Sequence, residues 1–407
     1  MGEGARPVLS FVQRYFHRPQ QVALRRLNFQ VHLWAGIILT LYMIVIGVTG
    51  SVLVFRPELE RLCGFKPWQD TRTSGPQADI STVVDNLRAA YPRSRIVSVE
   101  APTENDATFV AVVQGRGRLR VASSATDGKV LGEFPKRRTW VDVVLDLHES
   151  LLIPVHRTGR VLNGVGGALL LLLNATGMVI WWPGVRNWTR ALKVDFQRNW
   201  RRINFDLHLA VGFWTILIAS FWAFSAIYFA WPREILRFVN SLSPVITAQP
   251  PAVSVEPERI IPEIDLRPLV KRAFEIDPGT TLGGVDFPYS RRAPLGILMR
   301  RGNGAGREYV DTVFFNPYNG EYISTWRYGV NQSLGDWVVW SQVPLHFGTS
   351  WGLAVKVIWF FAGLVIPLLA VTGVLMYWNR WLRRKWKHLR GPKPRAVSTP
   401  EMARDSA

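Results

Sequence analysis

The sequence predicts a membrane protein with four transmembrane helices in a duplicated two-plus-two arrangement, with two external α+β domains. A nine-residue motif that occurs twice indicates the duplication, as RRLNFQVHL at Arg25–Leu33 and as RRINFDLHL at Arg201–Leu209. Each copy opens a long apolar block, and a hydrocarbon core of about 30 Å requires about 20 apolar residues per helix. The blocks that are long enough are Val31–Phe55, Val161–Trp182, Leu207–Trp231 and Leu353–Trp378.

The polar segments between these blocks set the predicted domain boundaries, and each half has the order helix, external domain, helix. In chain order the segments are a basic arm (1–30), helix one (31–55), a first external domain (56–147), an interfacial segment with helix two (148–182), a basic loop (183–206), helix three (207–231), a second external domain (232–345), an interfacial segment with helix four (346–378) and a basic tail (379–407).

The positive charge is concentrated at one side of these predicted helices. The formal net charge is +19, and the excess lies in the arm, the 183–206 loop and the tail, whereas the external domains have nearly equal acids and bases. Because positive residues stay in the cytoplasm, both termini are predicted to be cytoplasmic and the two domains periplasmic, in a bacterial inner membrane. Charges that flank helix ends in contact with lipid explain the composition better than nucleic-acid binding, which we do not expect.

Each external segment predicts one helix followed by four strands. Helical apolar spacing marks Asp79–Tyr91 and Leu266–Phe274. The β-branched runs, each series ending after an Asp-Gly or Asn-Gly turn, predict strands at Arg95–Ala101, Ala107–Gln114, Arg118–Ser123, Lys129–Phe134, Thr281–Phe287, Pro294–Arg300, Glu308–Phe315 and Glu321–Trp326.

The two buried histidines of the repeated motif, His32 and His208, are the first candidate site residues. An ionisable side chain about one turn inside a membrane helix is costly and is a functional-site hypothesis by default. Two of them in matching settings suggest a paired ligand set, and imidazole is a good ligand for iron.

The repeat extends to further motifs, and together they resemble a known family. These motifs are His32–Gly36 (HLWAG), Leu147-His148, Thr176-Gly177 with Trp181-Trp182-Pro183, Pro344–Gly348 (PLHFG) and Thr372-Gly373. They resemble the PepSY-associated transmembrane helix family, which includes ferric-siderophore reductases, over about residues 25–385. The resemblance implies PepSY-like external domains, a four-helix core with b-type haem, and an oxidoreductase that delivers electrons to an external ferric chelate such as a ferric siderophore during iron uptake.

Four repeated histidines form two predicted pairs at different heights. His32 and His208 begin helices one and three on the cytoplasmic side, and His148 and His346 precede helices two and four on the outer side. A symmetric bundle would oppose the members of each pair, as bis-histidine ligation of two haems requires. The haems would be non-covalent, because the single cysteine, Cys63, is not in a Cys-x-x-Cys-His motif.

Arginines before the helix-start histidines are predicted to bind the haem propionates. They lie about two turns or less before His32 and His208 at the predicted membrane edge, and they also set topology. They are Arg25, Arg26, Arg201 and Arg202.

Several alternatives remain open from the sequence. His156 could replace His148 as a ligand, each of the four paired histidines could be a structural residue bonded to a serine or a carbonyl in the bundle, or a zinc ion could be bound. A non-catalytic PepSY membrane protein that binds a peptide or a protease, or an iron-chelate permease, would also fit part of the pattern. No Gly-x-Gly-x-x-Gly follows a strand, so we expect electrons from membrane quinol or a separate cytoplasmic reductase.

Overall fold

The computed structural model describes most of the chain between residues 16 and 382. The described residues are 16–17, 22–63, 77–103, 107–115, 117–134, 139–185, 187–246, 251–253, 263–301, 310–327, 329–348 and 351–382. Most of the predicted basic arm and tail, parts of the linker after helix three, and His388 lie outside these residues.

In the described part of the chain, four helices are long and apolar enough to cross a membrane, which agrees with the four predicted blocks. The first and third helices start about two turns earlier than predicted, because the arginine-rich motif is itself helical, and the second starts at His156 instead of Val161. The four helices are α1 (Ala23–Leu53), α5 (His156–Trp181), α6 (Trp200–Ala230) and α10 (Gly352–Tyr377).

The remaining helices are short and lie between the long ones. They are α2 (Arg56–Leu62), α3 (Ile80–Ala90), α4 (Trp140–Ser150), α7 (Pro232–Leu242), α8 (Leu266–Ile276) and α9 (Leu334–Phe347). A 3₁₀ turn (Trp188–Leu192) lies before α6, and a π-helical turn (Trp378–Leu382) continues α10.

Eight strands follow the predicted runs to within about three residues at each end. In chain order they are β1 (Arg95–Glu100), β2 (Thr108–Gln114), β3 (Arg118–Ser124), β4 (Val130–Glu133), β5 (Thr280–Asp286), β6 (Leu295–Arg301), β7 (Val310–Phe315) and β8 (Tyr322–Trp326).

The eight strands form one antiparallel sheet rather than two separate ones. Its order is β4-β3-β2-β1-β5-β6-β7-β8, so the two halves meet where β1 pairs with β5. The pairing joins Ser98 to Asp286, Val99 to Val285 and Glu100 to Gly284. The sequence predicted two separate external domains. The strand pairing differs from that expectation, because each half leaves one strand edge whose backbone groups need partners and the other half supplies them.

A single hydrophobic core underlies this sheet. The core combines side chains of α3 and α8 with alternate strand residues from both halves. Leu87 of α3 and the strand residues Phe109, Ile297 and Phe315 are almost completely buried in it. Burying one such side chain stabilises the fold by about 1.5–3 kcal/mol. Both helices begin at an aspartate, since Asp79 accepts a hydrogen bond from the N–H of Ser81 and Asp265 one from the N–H of Arg267.

Arg300 connects the two halves at the strand junction. Its guanidinium lies in β6 and donates to the carbonyls of Pro102 and Ala101, each at 2.8 Å, and to the carbonyl of Gly283 at 3.1 Å. Pro102 and Ala101 belong to the first half of the chain, whereas Gly283 and Arg300 belong to the second. The Arg300 side chain therefore donates hydrogen bonds to carbonyl groups of both halves. Arg300 therefore has a structural role at the junction of the two halves.

We predict that Arg300→Met destabilises the sheet. Losing charged hydrogen bonds to carbonyls costs about 2–3 kcal/mol, which should lower the melting temperature by about 4–10 °C. Tryptophan fluorescence during heating of the detergent-solubilised protein measures this. Arg118→Met, at the exposed start of β3, is the matched control and should change it by less than about 2 °C. Equal effects of the two substitutions would contradict the role of Arg300.

Candidate functional site

The structure brings His32 of α1 and His208 of α6 together, as the repeat predicted. Their ring centroids are 6.3 Å apart and the ring planes are nearly perpendicular, at 87°. We call these two residues the first pair. The motif places each histidine on the second or third turn of its helix. The polar residues of the motif precede the histidine, and the apolar stretch follows it.

His148 of α4 and His346 of α9 face each other in the same way and form the second pair. Their centroids are 6.2 Å apart, with 61° between the planes. The end of α4 is anchored by Asn163 of α5, whose side-chain amide donates to the carbonyl of His148 at 2.8 Å. The end of α9 is anchored by Trp359 of α10, whose indole N–H donates to the carbonyl of Leu345 at 2.7 Å. Burial lowers the pKa of both imidazoles in the second pair, so both are neutral near pH 7, the form that binds metals.

His156 is not part of either pair. Its side chain is 50% exposed and its Nε2 lies 3.7 Å from a carboxylate oxygen of Glu149. It begins α5, whereas His148 lies within α4 and faces His346. Of the two alternatives that the sequence left open, the geometry therefore favours His148.

Both ring separations match a bis-histidine iron site. A metal–imidazole bond measures about 2.0 Å and a ring centre lies about 1.2 Å behind its nitrogen, so the centres of two rings on opposite sides of one ion would be about 6.4 Å apart. The observed distances are 6.3 and 6.2 Å. In the described part of the chain, no cluster of three or more histidine, cysteine, aspartate or glutamate side chains adds a closed zinc ligand set to either pair.

Hydroxyl groups position all four imidazoles, and the sequence did not single them out for this. Each Nδ1 lies within hydrogen-bonding distance of a threonine or serine oxygen. The contacts are His32–Thr176 at 3.2 Å, His208–Thr372 at 2.9 Å, His148–Thr49 at 2.9 Å and His346–Ser225 at 2.6 Å. The repeated Thr-Gly dipeptides were a signal for two of them. Thr49 and Ser225 could not be matched to a histidine without the fold.

Glycines leave room for three of the rings. A Cβ at Gly177 would lie 3.2 Å from Cε1 of His32, and one at Gly50 would lie 3.0 Å from Cε1 of His148. At Gly373 the corresponding distance to His208 is 3.4 Å. Each glycine follows the threonine that binds the same ring, so a Thr-Gly pair provides both the hydrogen bond and the space.

A cavity of about 1240 Å³ surrounds the first pair. It is larger than the roughly 300–1,000 Å³ of usual small-molecule pockets, and its walls combine apolar side chains with arginines. The arginines that line it are Arg25, Arg26, Arg190, Arg201, Arg202 and Arg380. The four arginines predicted to bind propionates thus line the cavity. Arg190 and Arg380 line it as well, although they belong to the basic loop and tail, whose charge was predicted only to set the membrane topology.

Two of the four predicted arginines already have protein partners. The guanidinium of Arg25 donates to the carbonyls of Trp182 and Ile180, at 2.5 and 2.6 Å, and so caps the end of α5. Arg202 lies 3.0 Å from a carboxylate oxygen of Asp206, which is 7% exposed. Arg201 packs near the ring of Trp200 at 5.9 Å. Arg26 and Arg201 are therefore the better candidates for an anionic ligand group.

The described part of the chain thus combines four apolar helices, two pairs of hydroxyl-bound imidazoles and an antiparallel sheet, which is the architecture of a membrane protein. The chain belongs to the PepSY-associated TM region family, whose sequence profile matches residues 29–380. The resemblance inferred from the histidine and Thr-Gly motifs is thereby confirmed. No curated protein matches the sequence significantly.

We predict that Arg202 stabilises the protein chiefly through Asp206. Arg202→Met should leave a buried carboxylate without its counter-charge and cost about 1–3 kcal/mol, seen as a lower melting temperature. Adding Asp206→Asn should restore most of the loss, because no buried charge then remains. Arg201→Met is the matched control with a smaller effect. Failure of the double substitution to recover stability would contradict this pairing.

Proposed function

We propose that this protein is an inner-membrane di-haem b-type electron-transfer protein that passes electrons to a periplasmic ferric chelate. In this proposal it acts as a ferric-siderophore or related ferric-chelate reductase in iron uptake. The donor is membrane quinol or a separate reductase on the cytoplasmic side. The observation that carries the proposal is the matching separation of the two histidine pairs, 6.3 and 6.2 Å between centroids.

The four histidines would hold the two haems through Nε2. Each Nδ1 is engaged by a hydroxyl, which leaves Nε2 as the nitrogen of each ring that could bind iron. When bound, a b-type haem supplies a one-electron ferric/ferrous couple. Because each pair would supply two imidazoles to its iron, the ligand set favours electron transfer over oxygen binding.

The remaining residues of the first pair's cavity support the same proposal. Arg26 and Arg201 supply positive charge for propionate carboxylates, and glycines beside the rings leave space for a flat macrocycle. Apolar side chains in the cavity wall would lower the polarity around a bound haem, and burial of this kind is one way in which a protein adjusts a reduction potential. A peptide-binding anchor or a chelate permease would not require two pairs of imidazoles at ligand distance.

The acceptor is proposed by its chemistry. One electron converts chelated Fe(III) to Fe(II), which hard oxygen ligands bind more weakly, so the iron is released. Backbone hydrogen bonds close the junction between β1 and β5. Arg300 binds carbonyl groups at this junction, and Arg301 forms an ion pair with Asp311. The chelate is therefore expected to approach a surface of the continuous sheet or the second pair, not a cleft between two separate domains.

We predict that the purified protein contains about two haems per chain. The haem-to-protein ratio and the reduced-minus-oxidised spectrum measure this. His32→Ala should remove one haem and His346→Ala the other, because each substitution deletes one axial ligand. His156→Ala, an exposed histidine outside both pairs, should retain both. Absence of haem from protein made under haem-replete conditions would refute the proposal and favour a peptide-binding role.

We further predict that the reduced protein is reoxidised by ferric chelates. Stopped-flow spectroscopy should show loss of the ferrous haem bands on mixing with a ferric siderophore. The gallium(III) form of the same chelate is the matched control, since Ga(III) has similar charge and size but no accessible divalent state. Equal inertness towards both complexes would exclude a ferric-chelate reductase while leaving electron transfer to another acceptor.

A further inference from the structure

The hydroxyl contacts of the four histidines have a defined direction. The hydroxyl protons of Thr176 and Thr372 are directed to the carbonyls of Leu172 and Leu368, both at 2.8 Å in their own helices. Ser225 donates to the carbonyl of Trp222 at 2.9 Å. Thr49 approaches the carbonyl of Ile46 at 3.3 Å. A hydroxyl that has given its proton to a carbonyl can only accept from the imidazole.

His32 fixes the direction independently. Its Nδ1 also lies 3.1 Å from the carbonyl oxygen of Leu173, and a carbonyl oxygen accepts but never donates. The proton of a neutral His32 is therefore on Nδ1, and the lone pair is on Nε2. The same network at His208, where Thr372 binds Nδ1 at 2.9 Å, assigns the same tautomer.

The four hydroxyls share a second property. Each lies in the same half of the chain as the histidine it binds, whereas the opposed histidine of each pair comes from the other half. Thr176 and Thr49 hold His32 and His148, and Thr372 and Ser225 hold His208 and His346. Each half therefore orients its own rings. The angle between the two opposed ring planes, 87° in the first pair and 61° in the second, then depends on how the two halves pack together.

We propose that Thr49, Thr176, Ser225 and Thr372 are positioning residues that fix the Nε2-ligating tautomer and lower the reduction potential of the iron that each pair holds. This inference rests on the proposed function and goes beyond it, because it states that these four hydroxyl groups control the reduction potential of the iron. A hydrogen bond donated from Nδ1–H makes the imidazole more basic, which stabilises the ferric state relative to the ferrous state.

The contacts predict an order of effects. Ser225 makes the shortest of the four contacts, at 2.6 Å, so its loss should shift a potential most. Thr176, Thr372 and Thr49 should matter less, because the histidine that each one binds also has a backbone carbonyl as an alternative acceptor. These carbonyls belong to Leu173 for His32, Leu369 for His208 and Ile46 for His148.

The experiment is a redox titration of full-length protein in detergent, with ferric EPR spectra of the same samples. Ser225→Ala should shift the potential of the second-pair component to a more positive value, and Thr372→Val should do so for the first pair. In each variant the other component should keep its potential. The g-values of the affected ferric signal should move too, because they depend on the angle between the ligand planes. Thr372→Ser should restore both readouts.

Thr40→Val is the matched control. The hydroxyl of Thr40 donates to the carbonyl of Gly36 within α1, as the four hydroxyls do to their own helices. It should leave both potentials unchanged. Haem loss in Thr372→Val that Thr372→Ser reverses would also support a positioning role.

Two results would overturn the inference. One is unchanged potentials and g-values in both Ser225→Ala and Thr372→Val, and the other is an equal shift in Thr40→Val. These are distinguishable from failure of the proposed function, which would appear as a wild-type protein without haem.

Discussion

The hydrogen bond from each histidine Nδ1 to a hydroxyl is the interaction on which the candidate site depends. An imidazole in an apolar helix bundle carries two polar nitrogens, and leaving either without a partner costs free energy. Thr49, Thr176, Ser225 and Thr372 satisfy one nitrogen of each ring without introducing a charge. This contact leaves Nε2 as the remaining polar nitrogen of each ring, and the opposed ring of each pair lies 6.3 or 6.2 Å away between centroids.

The two halves of the chain meet through two kinds of contact. In the sheet, β1 and β5 exchange backbone hydrogen bonds, and Arg300 binds carbonyls from both halves. Among the long helices, each histidine is held by its own half and opposed by the other. Neither half alone completes a pair or covers its strand edge. The functional unit is therefore the folded whole, although each half contains a similar set of elements.

The arginines show why charge counts need a structure. By sequence, Arg25, Arg26, Arg201 and Arg202 are equivalent positive charges before two equivalent histidines. In the fold, Arg25 caps the end of α5 and Arg202 neutralises a buried aspartate. The difference arises because the two halves are not identical: position 206 is an aspartate, and its counterpart in the first motif is Gln30. An arginine can neutralise a buried carboxylate or bind an anionic ligand, and only the contacts in the folded protein show which of these roles a given arginine has.

The sequence by itself determined the four apolar helices, the strand positions and the four histidines that the fold brings together in two pairs. These follow from local pattern, because apolar block length, alternation and an out-of-place ionisable residue are visible along the chain. The tertiary structure decided which groups meet: the pairing of β1 with β5, the choice of His148 over the exposed His156, and the hydroxyl that serves each ring. Those contacts join residues such as Ser225 and His346 that lie 121 positions apart. No local pattern encodes such a distance, because it is set by how helices from both halves pack together.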